Sequence, residues 1–217
     1  MNHKNSWFAK SLIKWFTKHG RTFPWRETID PYAILIAEKL LQQTSVRQDV
    51  VRIYKQLLLD YPTPKLLSQA PIEKIRTLIQ PLGLHYRADD LVRMSKEICE
   101  EHNNIIPSNL PELLSIYGVG EYSARAVLSF SFDLNIAVVD TNVARILYRV
   151  FDIQEKFPQN PARSRKLIGL AQELVPDGNS KKFNWAMIDL GSLICLSRNP
   201  HCGECPLSTW CSYYKTL

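Results

Sequence analysis

Cys195, Cys202, Cys205 and Cys211 close the chain with six, two and five residues between them. Four thiolates packed into so short a segment restrict what it can be more than any helix or strand pattern does. They point to a metal or cluster site. Inside the set, Cys202-Gly203-Glu204-Cys205 is a C-x-x-C whose glycine lets two sulfurs face one centre, and the outer cysteines complete a four-thiolate shell. Such a shell suits a [4Fe–4S] cluster or, as the lesser alternative, a tetrahedral zinc. A disulfide pair is the plainer reading, but the polar stretch from Met1 to Trp7 is no export signal. The remaining cysteine, Cys99, stands far upstream and reads as a buried thiol of a helical domain.

A chain of 217 residues with 45% hydrophobic content can build one large or two small cores. No apolar run is long enough to span a membrane, so an intracellular, cytoplasmic protein is expected, nucleoid-associated in a prokaryote. The formal charge of +6 is compatible with a phosphate backbone but does not by itself select one. Apolar spacing is helical nearly throughout. Trp7, Phe8, Leu12, Trp15 and Phe16 recur every three to four residues. Asp30-Pro31 begins a helix carrying Ile34, Leu35, Glu38, Leu41 and Gln42, with Asp as cap and Pro in the first turn. Further helices are expected from about 46 to 59, 64 to 69, 72 to 79 and 86 to 102. Strict alternation is nowhere sustained, and Val138-Val139 is too short for a strand. The fold class is therefore all-α.

Two segments carry chemistry. Around Gly118-Val119-Gly120 an apolar helix reaching Tyr117 gives way to a tight turn and a second helix with small residues Ala124 and Ala126. Two glycines permit positive φ and expose backbone N–H groups at a helix start, where a phosphate is a natural guest. An ordinary helix–helix turn would look the same. Further on, Asp140 in Val139-Asp140-Thr141-Asn142 stands where a helix begins. It is either a plain N-cap or a carboxylate that backbone N–H groups keep ionised, which is useful if positive charge develops on a deoxyribose.

The hairpin, the Val-Asp-Thr-Asn segment and the cysteine quartet occur in one order and together resemble the helix–hairpin–helix DNA glycosylases of the endonuclease III superfamily, in the branch that carries an iron–sulfur cluster. The resemblance runs from Phe23-Pro24-Trp25-Arg26 to Tyr213-Tyr214. It implies two helical domains with a DNA-binding cleft between them: a helical barrel over 28–133, containing the hairpin at about 113–132, and a cluster domain made of 1–27 plus 134–217, with the cluster loop at 195–211. It implies a [4Fe–4S] cofactor, mismatched double-stranded DNA as partner and a monomer.

Family members that also cut the strand carry Lys where this chain has Tyr122. Tyrosine cannot form a Schiff base, so the resemblance implies a monofunctional enzyme. The Tyr itself, Asp30-Pro31-Tyr32, Phe183-Asn184 and the Cys-Ser-Tyr-Tyr ending favour the branch acting on thymine or uracil opposite guanine. Glu38-Lys39-Leu40-Leu41-Gln42-Gln43-Thr44 is similar to the adenine glycosylases, but the extra carboxy-terminal domain of those enzymes does not follow Cys211. An adenine glycosylase and a non-catalytic DNA-binding module are the alternatives. By resemblance, Asp140 stabilises the sugar cation, Glu38 and Tyr122 line the base pocket, and Gln42 and Leu84 fill the void left by the flipped base. Gly118, Val119 and Gly120 hold phosphate. The plainer readings are a surface carboxylate for Glu38, packing for Tyr122 and Leu84, and a solvated residue for Gln42. The hairpin departs from the family in having Tyr117 where Pro is usual.

Overall fold

The computed structural model describes residues 3–42, 48–83 and 86–216. Leu84, expected as a void-filling residue, and Gln43 and Thr44 lie outside them. In chain order the α-helices are α1 (His3–His19), α2 (Pro31–Leu41), α3 (Gln48–Asp60), α4 (Pro64–Ser68), α5 (Ile72–Ile79), α6 (Tyr86–Glu101), α7 (Leu110–Ser115), α8 (Glu121–Phe130), α9 (Thr141–Phe151), α10 (Arg165–Leu174), α11 (Ser180–Leu193) and α12 (Ser212–Lys215). No strand occurs among the described residues, so the all-α expectation holds.

Local chemistry explains most helix ends. Asp30 caps α2 by accepting from the Tyr32 N–H, Thr63 caps α4, Asn109 caps α7 and Ser164 caps α10, each satisfying an N–H that the helix leaves open. Proline stands in the first turn of α2, α4 and α7, where its missing N–H costs nothing. One expected boundary moves: α7 stops at Ser115, and Tyr117 lies in the turn beyond it.

The chain divides into two compact units, one of residues 1–21 with 133–217 and one of residues 22–132. In the first, Phe8 and Leu12 of α1 pack with Val143 and Leu147 of α9 and with Phe183 and Leu190 of α11. Arg21, just past α1, donates from its backbone N–H and guanidinium to Asp189 of α11, a fully buried carboxylate. A buried carboxylate is tolerated only when so paired. In the second unit, α2 is buried all round. Ile34, Leu35, Ile36 and Leu40 are sealed from solvent, and α3, α6 and α8 pack against this helix. Among the described residues no helix is long and apolar enough to cross a membrane.

Candidate functional site

In the unit of residues 22–132, packing of α2 on α8 gathers most of the expected DNA-facing residues. Glu38 lies in α2 with only 5% of its surface exposed, which removes the surface-carboxylate reading. Tyr122 occupies the first turn of α8 and is half-buried. Gln42 follows α2, and its side-chain amide donates to the Ser123 hydroxyl at 3.3 Å, so it is tied to α8. The two glycines differ. Gly118 has φ +70, a conformation that side chains rarely adopt, whereas Gly120, the N-cap of α8, is extended at φ −96 and ψ 175. Only the first is conformationally required. Val119 between them is buried.

Lys39, the neighbour of Glu38, was not anticipated. Its side chain is 3% exposed, and its Nζ donates to the Gly118 carbonyl at 3.1 Å. A Cβ on Gly118 would come within 2.7 Å of that nitrogen. Burial lowers the Lys39 pKa, and Asp90 pulls it back. Nearby, the buried Arg87 donates to the Leu40 carbonyl at 2.9 Å, holding the end of α2. The sequence carried a faint signal for Lys39: it interrupts an otherwise apolar run on a helix that packs on all sides.

Asp140 belongs to the other unit, as do the four cysteines. It is the N-cap of α9, as expected. One carboxylate oxygen accepts from the Val143 N–H at 2.7 Å and the other from the Asn142 amide at 3.0 Å. The helix entrance does not act on its pKa alone. Burial raises its pKa above the ordinary aspartate value, and the Val143 and Asn142 hydrogen bonds only partly oppose this. The approach to Asp140 is held by side chains. Asn184 of α11 accepts from the Val138 N–H and donates to the Ile136 carbonyl, and Gln172 of α10 treats Ala137 and Asn135 in the same way. Each thus replaces the ladder partner that an extended segment needs.

Asn142 connects this carboxylate to the cysteine segment. Its carbonyl oxygen accepts from Arg145 at 2.7 Å, and Arg145 also donates to the Gly191 and Cys195 carbonyls. Gly191 lets α11 approach the first turn of α9, since a Cβ there would lie 2.6 Å from that of Asn142.

All four expected cysteines line one pocket with Ile146, Val150, Leu190, Ile194 and Leu207. None is in a disulfide. Among the described residues no three His, Cys, Asp or Glu side chains converge as a single metal ion would need. The thiols ring the pocket instead. Burial pushes the Cys205 thiol up to about 12, although the Leu207 N–H at its sulfur pulls the other way. A thiol in so apolar a place ionises when a bound metal supplies the opposing charge. The cation beside the site is Arg149, which reaches the Cys195 sulfur at 3.4 Å, donates to the Leu196 and Ser197 carbonyls and stacks on Tyr213. Arg145 holds backbone, and Arg198 is exposed. Four thiols, apolar walls and a facing guanidinium fit an iron–sulfur cluster. Cys99 takes no part; its sulfur lies 3.7 Å from the Ser68 hydroxyl.

Residues 36–173 match the HhH-GPD superfamily of base excision DNA repair proteins, and residues 195–211 match the iron-sulfur binding domain of endonuclease III. The quartet is thus a [4Fe–4S] motif of the endonuclease III type. A thymine-DNA glycosylase of Aeropyrum pernix is 39% identical over 95% of this chain and 93% of its own length. A thymine/uracil-DNA glycosylase of Pyrobaculum aerophilum is 38% identical over 96% and 92%. An adenine DNA glycosylase of Buchnera aphidicola is 34% identical over 95% of this chain, which spans 58% of that protein. The solved structure of a thermostable thymine-DNA glycosylase matches 100% of this chain and 99% of its own, with a TM-score of 0.93 and 32% identity.

Proposed function

The chain belongs to the HhH-GPD superfamily of base excision DNA repair proteins, and from that premise we propose that it hydrolyses the N-glycosidic bond of thymine or uracil mispaired with guanine. The observation that carries this reading is the placement of Asp140. Its two oxygens are fixed by Val143 and Asn142 at the entrance of α9, where partial burial raises its pKa. A carboxylate so oriented needs no reorganisation when a sugar cation forms beside it, and partial burial strengthens the action of its charge.

The substrate must first leave the stack. Flipping costs a few kcal/mol, and less for a mispaired base, so the mismatch itself contributes selectivity. The Gly118-Val119-Gly120 turn, closed by the Val119 N–H on the Ile116 carbonyl, presents the open N–H groups at the start of α8 to a backbone phosphate and fixes the register. Gln42 supports the void left in the duplex. Glu38, nearly buried, hydrogen-bonds or protonates the departing base, and Tyr122 packs against it. As the bond breaks, Asp140 stabilises the cationic sugar and orients water. Tyr122 offers no amine, so the product is an abasic site in an unbroken strand. Cys195, Cys202, Cys205 and Cys211 hold the [4Fe–4S] cluster, which when bound ties the carboxy-terminal segment into a rigid fold.

Similarity to thymine/uracil-DNA glycosylases supports the choice of base. The similarity to an adenine DNA glycosylase is the specific observation behind a second reading, adenine release from A:G pairs. Duplexes with G:T, G:U, A:G and A opposite oxidised guanine, incubated with enzyme and then treated with alkali, separate the two. Release from G:T and G:U is expected. Release confined to the adenine mispairs reverses the assignment, and release from none leaves a binding module. Borohydride should trap no adduct with the wild type, and an adduct would refute the monofunctional reading.

A further inference from the structure

The turn leading into α8 is built differently from a proline-led one. The Val119 N–H donates to the Ile116 carbonyl at 3.1 Å, and Gly118 at the third position has φ +70. That is a type II β-turn, whose second position favours proline because its φ is preset. Here the second position is Tyr117. Its N–H, which proline would lack, donates to Glu97 at 2.6 Å, and its hydroxyl donates to Asp90 at 3.1 Å. Arg93 covers its ring at 3.7 Å from the centroid. Glu97, Asp90 and Arg93 all lie on α6. On the other side, the Lys39 ammonium of α2 grips the Gly118 carbonyl and stands 4.0 Å from Asp90. Four side chains thus hold from outside a turn that a pyrrolidine ring would hold from within.

Packing alone accounts for Tyr117 but not for Lys39. An isoleucine or methionine would fill its space without the cost of burying a charge. The ammonium instead bonds the carbonyl of Gly118, two residues before the open N–H groups that begin α8. We propose that Lys39 is a positioning residue of the hairpin, whose buried ammonium fixes the Gly118 peptide and adds positive charge beneath a DNA phosphate that the turn amides bind. The inference rests on the reading that this hairpin binds phosphate. Lys39 itself touches no DNA. It acts through the Gly118 carbonyl and through its field, which Asp90 partly offsets.

The test is the affinity for an undamaged duplex, measured by fluorescence anisotropy across a range of potassium chloride. Lys39→Met should weaken binding about tenfold at low salt and flatten the dependence of log Kd on log salt by roughly half a unit to one unit, because one fewer phosphate charge is compensated. Asp90→Asn keeps an acceptor for the Tyr117 hydroxyl but removes the offsetting charge. It should tighten binding about two- to threefold and steepen the slope. Weaker binding by Lys39→Met with an unchanged slope, together with an unaltered Asp90→Asn, would reduce Lys39 to a structural prop and overturn the proposal. If Lys39→Met fails to fold, Asp90→Asn decides alone. Gly120→Asp separates the two layers, since the space at Gly120 is open and a carboxylate there repels phosphate. Wild-type binding by Gly120→Asp sinks the hairpin reading and the Lys39 inference with it. Loss of binding there, with the Lys39 and Asp90 variants both unchanged, sinks the Lys39 inference alone.

Discussion

The hairpin and the cysteine segment hold irregular backbone in opposite ways. The hairpin is a four-residue turn between two helices, fixed by one left-handed glycine and braced by charged side chains from α2 and α6. Its geometry is largely complete in the polypeptide itself. The cysteine segment runs from 195 to 211 with only two short 3₁₀ turns. It is secured by Arg145 and Arg149 from α9, and burial raises the pKa of its Cys205 thiol, a cost that a bound cluster offsets. One region takes its order from a left-handed glycine and the side chains that brace it, and the other depends on a ligand. The lesson is that the two should fail under different insults.

The largest effect should come from Asp140, which the cysteine side of the molecule orients. Asp140→Asn should lower single-turnover base release about 10²- to 10³-fold while duplex binding persists, since asparagine caps a helix about as well. Undiminished release would remove Asp140 from the mechanism. Cys205→Ser should come next. We expect loss of the visible absorption of the bound cluster and of hydrogen-exchange protection around residues 195–211, with protection of α2 and α8 retained. Equal loss in both units would erase the distinction drawn above. Gly191→Ala is expected to push Asn142 off Asp140, costing about 1–3 kcal/mol of stability and reducing base release without weakening binding to undamaged DNA.

The hairpin offers a finer contrast. Gly118→Ala forces a side chain into φ +70 and against Lys39, and should cost about 1–2 kcal/mol in thermal unfolding and weaken DNA binding. Gly120→Ala, with open space and an extended backbone, should fall within about 0.5 kcal/mol of wild type. Equal effects would contradict the turn geometry. The smallest expected effect concerns pH. A carboxyl whose folded pKa is raised favours folding below its unfolded value of about 4, and that contribution is lost as pH rises through the folded value. Asp140→Asn should therefore match or exceed wild type in melting temperature at neutral pH and lose that advantage on acidification. The acid limb of wild-type activity should lie above the ordinary aspartate range.

Much of the molecule was legible beforehand because its signals are local. Helix caps at Asp30 and Asp140, the ending of α5 at Ile79 and the glycine turn follow from residue type and spacing alone. The cysteine quartet is equally local, since its spacing fixes how many ligands meet. Three features escaped. Lys39 reads as a surface residue by type, and only the packing of α2 among α3, α6 and α8 makes it a buried donor. Arg149 and Cys195 are separated by 46 positions, a distance that sequence pattern does not bridge. The Asp140 pKa was expected to follow the helix entrance, but the opposing effect of burial is larger.

Sequence alone settled the helical class, the family and the iron–sulfur motif, because each depends on short-range periodicity or on residue order along the chain. Tertiary structure decided which way the Asp140 pKa moves, which lysine supports the Gly118 carbonyl and which arginine faces the sulfurs. Those properties arise from burial and from contacts between residues far apart in the chain, where the surrounding dielectric and the available partners are set by packing rather than by neighbours in sequence.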